Sequence, residues 1–132
     1  MKRSAIARRI SPRLARYNKE FAEAKPLVIE RSQGYCEVSR HCRMVIDSLR
    51  DNQTEAMTAA NAAASMMLSH ACEQRGAHVH HRRYRKRGGT NSLNNLIHVC
   101  LSCHAWIHAH GGYGEDANIL RLALSSHESE KL

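Results

Sequence analysis

The chain has 132 residues, a formal net charge of +8, and one Trp, four Tyr and one Phe within a hydrophobic fraction of 42%. That length bounds it to one domain with or without attached arms, and so few large apolar side chains point to a metal staple in a small core. No apolar run is long enough to span a bilayer, and the basic start MKRSAIARRI lacks the apolar core of a signal peptide, so a cytoplasmic protein is expected.

The positive charge is unevenly spread. Residues 1–25 hold eight Lys/Arg against two Glu, and five of the six residues 82–87 are basic, while 44–74 hold four acidic residues and one Arg. Two basic regions of this kind fit a surface that faces a polyanion, most simply nucleic acid.

In chain order, residues 1–26 read as a basic helical arm. Ser11 is a good N-cap with Pro12 at the first helical position, Leu14, Tyr17 and Phe21 recur at helical spacing, and Pro26 is expected to close the segment. Its exposed face would carry Arg13, Arg16 and Lys19. RSQGYCEV follows as a helix end, a turn at Gly34 and a short strand carrying Cys36. From about 54 to 71 the chain is Ala- and Met-rich with no Gly or Pro, and Met57, Ala60, Ala64, Met67 and Ala71 share a helix face that would cover the core or a second subunit. VHH and LIHVC then fit two strands of a hairpin joined by the basic, Gly-containing loop. CHAWIHAH fits a short helix ended by Gly111-Gly112. Beyond Gly114, Ile119, Leu120, Leu122 and Leu124 suggest a last helix that frays into SSHESEKL.

The five cysteines and the seven histidines between His78 and His110 suggest metal more than redox chemistry. Cys100-x-x-Cys103 is a knuckle for two of the four ligands of a structural zinc. Cys36 and Cys42 are the expected partners, with Cys72 a rival for Cys42. On a helix His104 and His108 share a face and can converge on one ion. Cys103 and His104 point about 100° apart, so they should serve two different metals. His80 and His81 precede on the adjoining strand.

The stretches GYCEV (34–38), HVHHR (78–82), GGTNSLNNLIHVC (88–100) and CHAWIH (103–108) together resemble the HNH endonuclease family, in the zinc-knuckle form found in phage and bacterial genomes. The resemblance implies an α+β, ββα-metal fold: a two-stranded hairpin and a helix around one catalytic metal, stapled by zinc, here with an N-terminal helix and a helical insertion. It implies His81 as the general base that activates water, and His80, in the place where many members carry Asp, as a ligand of the catalytic ion with His104 and His108. Asn95 would tether the loop and so orient the base. Imidazole in place of carboxylate favours Mn, Ni, Co or Zn over Mg. Adjacent strand residues face opposite ways, so the strand must end or bend at His80-His81 for both to reach one site. With those two assigned, His78 is read as a packing or surface residue.

The family domain would then span 27–112, with residues of about 44–74 as an insertion and 113–132 as a tail. The expected function is a metal-dependent DNA endonuclease of low sequence specificity, with Arg82, Arg83, Arg85, Lys86 and Arg87 on flanking phosphates of double-stranded DNA. The alternative is a non-catalytic zinc module that binds nucleic acid. The insertion is a candidate homodimer surface, and no membrane partner is expected.

Overall fold

The structure is a computed structural model and describes residues 9–49, 54–68 and 72–131. Lys2, Arg3, Arg8 and Ala71 lie outside the described residues. The element order is α1 (Pro12–Ser32), α2 (Val38–Ser48), α3 (Thr54–Leu68), β1 (His78–His81), a 3-10 turn (Arg85–Arg87), β2 (Leu96–Val99), α4 (Leu101–Ala109) and α5 (Asp116–Ile119). This is the α+β architecture expected, a small antiparallel hairpin with helices packed on it.

α1 starts as its sequence dictates: Ser11 Oγ accepts the Leu14 N–H at 3.1 Å, and Pro12 follows it. It does not stop at Pro26. A proline inside a helix costs about 3 kcal/mol, yet α1 continues to Ser32 because its second half is anchored. Ala24 and Val28 bury against Leu96 of β2. Arg31 donates to the carbonyls of Leu93 and Leu96 at 2.9 and 2.8 Å, and both its Nε and Nη2 hold Glu37. Gln33 (φ 54°) and Gly34 (φ 81°), both left-handed, then turn the chain.

β1 and β2 pair antiparallel with His78 opposite Val99, Val79 opposite His98, His80 opposite Ile97 and His81 opposite Leu96. Because strand side chains alternate, His78 and His80 face α4, while Val79 and His81 face α1. A second link, the bridge between Tyr35 and Arg75, joins the turn after α1 to the segment after α3.

The core lies between α2, α3, β2, α4 and the C-terminal segment. Val38, Ala63, Met67, Val99, Ile107 and Leu122 are all within it. Ala60, Ala63, Ala64 and Met67 of α3 are buried inside this chain, so the Ala/Met face covers its own core. The C-terminal segment is part of the same core. α5 is a single turn, and Leu120, Leu122, Ala123 and Leu124 beyond it are fully buried. The longer, fraying helix expected there does not form, because Leu124 instead bridges to Arg83.

Candidate active site and metal centres

Two groups of metal-ligating side chains stand on either side of α4. In the first, the sulfurs of Cys36, Cys72, Cys100 and Cys103 all lie within 4.8 Å of one another. The expected fourth member, Cys42, is not among them. α2 begins at Val38, two residues after Cys36, and its winding carries Cys42 into the core beside Val38 and Val45. Burial, then the neighbouring Cys36, pushes the Cys42 thiol up to about 12. Cys72 takes the position because the Tyr35–Arg75 bridge, with the Cys36 N–H donating to the Gln74 carbonyl at 2.7 Å, brings it beside Cys36.

This donor set suits zinc. Four sulfurs about 2.3 Å from a tetrahedral ion lie roughly 3.8 Å apart, and Cys72 Sγ and Cys100 Sγ are 3.9 Å apart. Cys100 Sγ also accepts the N–H groups of Cys103 (3.3 Å) and Glu73 (3.5 Å). A hydrogen bond from Cys103 draws the Cys36 thiol down, against the effect of burial.

The second group is His80, His104 and His108, with one ring nitrogen of each within 4.8 Å of the others. Helix α4 sets this geometry by placing His104 and His108 one turn apart, with their Nε2 atoms 2.9 Å from each other. Two nitrogens about 2.0–2.1 Å from one ion lie roughly 2.9–3.4 Å apart, depending on coordination angle, so the pair fits a shared ion. His80 Nε2 donates to the Leu122 carbonyl at 2.8 Å, which leaves Nδ1 as its lone-pair nitrogen. A ligand imidazole tied through its other nitrogen to a carbonyl is held in one tautomer and orientation. Burial lowers the His80 pKa to about 3, and burial followed by His108 and His78 lowers that of His104. For His80 and His104 these shifts favour the neutral form that metal ligation requires.

The sequence gives the separation of the two groups through the adjacency of Cys103 and His104. It does not reveal Leu122, since a backbone carbonyl has no signature in composition. Tyr84 was also missed; its ring is stacked on His108 and stands edge-on to His80. His78, read as peripheral, is exposed, yet its ring lies 5.1 Å from that of His104. Its spacing of two from His80 was the available signal.

His81 is not in the histidine group. The strand runs regularly through both His80 and His81 and ends after them, so the two keep opposite faces. His81 packs on Phe21 of α1 with ring centroids 4.7 Å apart. Asn91 Nδ2 donates to the Tyr17 carbonyl at 3.0 Å, which fixes the amide's orientation. Asn91 Oδ1 therefore accepts from His81 Nε2 at 2.9 Å, with Tyr17 Oη 3.0 Å from the same nitrogen. The arrangement makes Nε2 the protonated nitrogen and leaves the lone pair on Nδ1. Asn95, fully buried, accepts the Arg83 N–H at 2.7 Å and donates to the carbonyls of Arg83 (3.1 Å) and Thr90 (2.8 Å). It closes the basic loop onto the end of β1.

The basic run divides. Arg82 is 3% exposed, with its guanidinium on the carbonyls of Arg121, Asn94 and Glu130; it is a structural residue and does not present itself to phosphate. Arg83 is held by Glu130 at 3.2 Å. Arg85 lies over the Tyr17 ring and Arg87 over the Tyr84 ring, and Arg85 and Lys86 are exposed. Arg85 also borders a groove of about 500 Å³ shared with Arg13, Tyr17, Gly89 and Asn91.

No described helix is long and apolar enough to cross a membrane. Comparison with curated proteins and with solved structures finds no match. The family model described as HNH endonuclease matches residues 70–110. That segment holds Cys72, β1, the basic loop, Asn95, β2 and α4, and so every member of both groups except Cys36. Residues 70–110 are therefore similar to the HNH endonuclease family.

Proposed function

We propose that the protein is a metal-dependent endonuclease that hydrolyses phosphodiester bonds of DNA, with a zinc ion in the cysteine group as its staple. The observation that carries this reading is the convergence of His80, oriented by the Leu122 carbonyl, with His104 and His108 inside the segment that matches the HNH endonuclease model. Mn, Ni, Co, Zn and Mg are the candidate ions for that set, imidazole favouring the first four. A divalent ion bound there would neutralise charge on the phosphoryl oxygens and on the leaving oxygen.

The chain's own residues supply the rest. His81, protonated on Nε2 and oriented by Asn91, takes a proton from the attacking water at Nδ1. Asn95 holds the loop so that His81 keeps that orientation. Arg85 and Lys86, with Arg13 and Arg16 of α1, form the exposed cationic surface for flanking phosphates. Since His80 and His81 face opposite ways, the scissile phosphate must sit at the edge of the hairpin, reached from both sides.

That same opposition favours a second reading, a zinc-stapled module that binds nucleic acid without cutting it. Nicking of supercoiled plasmid with Mn, Ni or Mg separates the two, using wild type, His104→Ala and His81→Ala. Cleavage lost in both variants supports the nuclease. Tight duplex binding with no cleavage under any of these metals establishes the binding module.

A further inference from the structure

The three side chains of the histidine group are not held equally. His80 is buried, and its Nε2 is tied to the Leu122 carbonyl at 2.8 Å. His108 is exposed, and its one hydrogen-bonding contact runs from Nε2 to His104 Nε2 at 2.9 Å. Histidines that ligate metals almost always donate their second ring N–H to a carboxylate, a carbonyl or water, which fixes the ring. Among the described residues no carboxylate or carbonyl does this for His108. An exposed imidazole without such a partner turns between rotamers and loses that freedom when it binds an ion.

A different contact stands at His108. The Tyr84 ring is stacked on it with centroids 5.3 Å apart and planes 29° from each other, and the same ring meets that of His80 edge-on at 5.6 Å. Tyr84 is itself firmly placed. Its carbonyl accepts the N–H groups of Arg87 (2.8 Å) and Gly89 (3.0 Å), which ties its backbone to the 3-10 turn. The Arg87 guanidinium covers the ring at 4.8 Å and donates to the Leu124 carbonyl at 3.2 Å. The hydroxyl contributes nothing comparable, because Oη is buried with no hydrogen-bond partner among the described residues. Burying an unpaired hydroxyl is unfavourable, so the useful part of this side chain is its ring.

We propose that Tyr84 is a positioning residue for the histidine group: its ring, not its hydroxyl, holds His108 in the rotamer that turns Nε2 toward His104, and so raises the group's affinity for a divalent ion. Stacking does for His108 what the Leu122 carbonyl does for His80. This role rests on the reading of the three histidines as a metal site. It also joins that site to the basic loop, since Tyr84 opens the turn on which Arg85 and Lys86 are exposed.

Titration of the full chain with cobalt(II), after zinc has filled the cysteine group, tests this by visible absorption. Wild type is expected to bind one cobalt that His104→Ala does not bind. Tyr84→Leu should weaken that binding by about 10–100-fold, the range for losing an outer contact of a metal-bound histidine, while keeping its zinc. Tyr84→Met, flexible enough to fill the same space, takes its place should the Leu variant not unfold cooperatively. Tyr84→Phe keeps the ring and should bind as wild type does. In a His108→Ala background Tyr84→Leu should cause no further loss, because the ring acts through His108; a merely structural role would weaken binding in both backgrounds. Full affinity in Tyr84→Leu, weakened binding in Tyr84→Phe, or an equal loss in the two backgrounds overturns the role of Tyr84 and leaves the metal site standing. Absence of any His104-dependent cobalt in wild type overturns the metal site itself, and the role of Tyr84 with it.

Discussion

The cysteine and histidine groups use neighbouring residues of one helix, Cys103 and His104, yet they are built differently. The cysteine group draws on three separate stretches of chain, at Cys36, Cys72 and Cys100–Cys103, with its two knuckle sulfurs buried. The histidine group uses one hairpin strand and two turns of α4, and opens from buried His80 to exposed His108. A site that joins distant stretches and excludes water stabilises a fold. One that is locally assembled and open on one side can admit a substrate. Losing the first should cost the structure; losing the second should cost only chemistry.

The largest effect expected is therefore from Cys72→Ala. Structural zinc contributes an apparent 10–16 kcal/mol, roughly, to small metal-dependent domains, and the variant should lose its zinc and most of its cooperative unfolding transition. Cys42→Ala should keep a full zinc complement and cost about 1 kcal/mol of packing. Elemental analysis with thermal unfolding reads both. Equal zinc loss in the two variants would break the assignment of Cys72.

His104→Ala should do the reverse, preserving the unfolding midpoint while lowering plasmid cleavage by about 10²-fold or more. His81→Ala should lower cleavage by about 10²–10⁴-fold without changing bound metal, because a base contributes that much and His81 stands outside the ligand set. Metal lost in His81→Ala would merge the base with the ligands.

Between the two groups lies β2, and Gly76 tests how tightly it is packed. A Cβ at Gly76 would meet the His98 ring at 2.2–2.4 Å, so Gly76→Ala should cost up to about 3 kcal/mol in denaturant unfolding. His98 cannot yield easily, since its Nδ1 is 2.7 Å from Ser32 Oγ and its N–H is held by Glu37. A neutral result would show the strand free to shift.

Two buried histidines contact the C-terminal segment, and only one belongs to a metal group. His41 Nε2 donates to the Leu120 carbonyl as His80 does to that of Leu122. Burial, then the charge of Arg82, lowers the His41 pKa to about 3. Below about pH 6.5 the unfolded chain takes up a proton that folded His41 refuses, so stability falls as pH drops from there toward 3. At pH 5 the loss should be roughly 2 kcal/mol. In phosphate-free buffer, His41→Gln should flatten that part of the stability-against-pH curve, and an unchanged slope would remove His41 as its source.

Which of these features the sequence discloses follows from their chemistry. Side-chain spacing along one element is readable: the Ser11-Pro12 start of α1, the hairpin, the buried face of α3 and the split between Cys103 and His104 all followed from it. What depends on where distant backbone meets is not. Cys72 in place of Cys42 was decided by the Tyr35–Arg75 bridge, and the persistence of α1 past Pro26 by Arg31 reaching β2. Arg82 reads in the sequence as one of the phosphate-facing basic run, and three carbonyls from remote segments make it a core residue.

The smallest effect expected concerns α1, which lies outside the HNH match but touches His81, the base of the proposed reaction. Asn91 and Tyr17 share His81 Nε2, but unequally. Asn91 is fixed by its bond to the Tyr17 carbonyl and so dictates the tautomer; the Tyr17 hydroxyl adds a second acceptor to a proton already placed. Tyr17→Phe keeps the ring against His81 and the backbone carbonyl, and removes about 1 kcal/mol of hydrogen bonding. Cleavage should fall by about fivefold, with metal content unchanged and the pH profile keeping its shape. Asn91→Leu should fall further, since His81 is then free to reverse its tautomer. Equal effects from the two substitutions would mean that α1 orients His81 as strongly as the loop does, and the catalytic unit would then extend beyond residues 70–110 to include the helix.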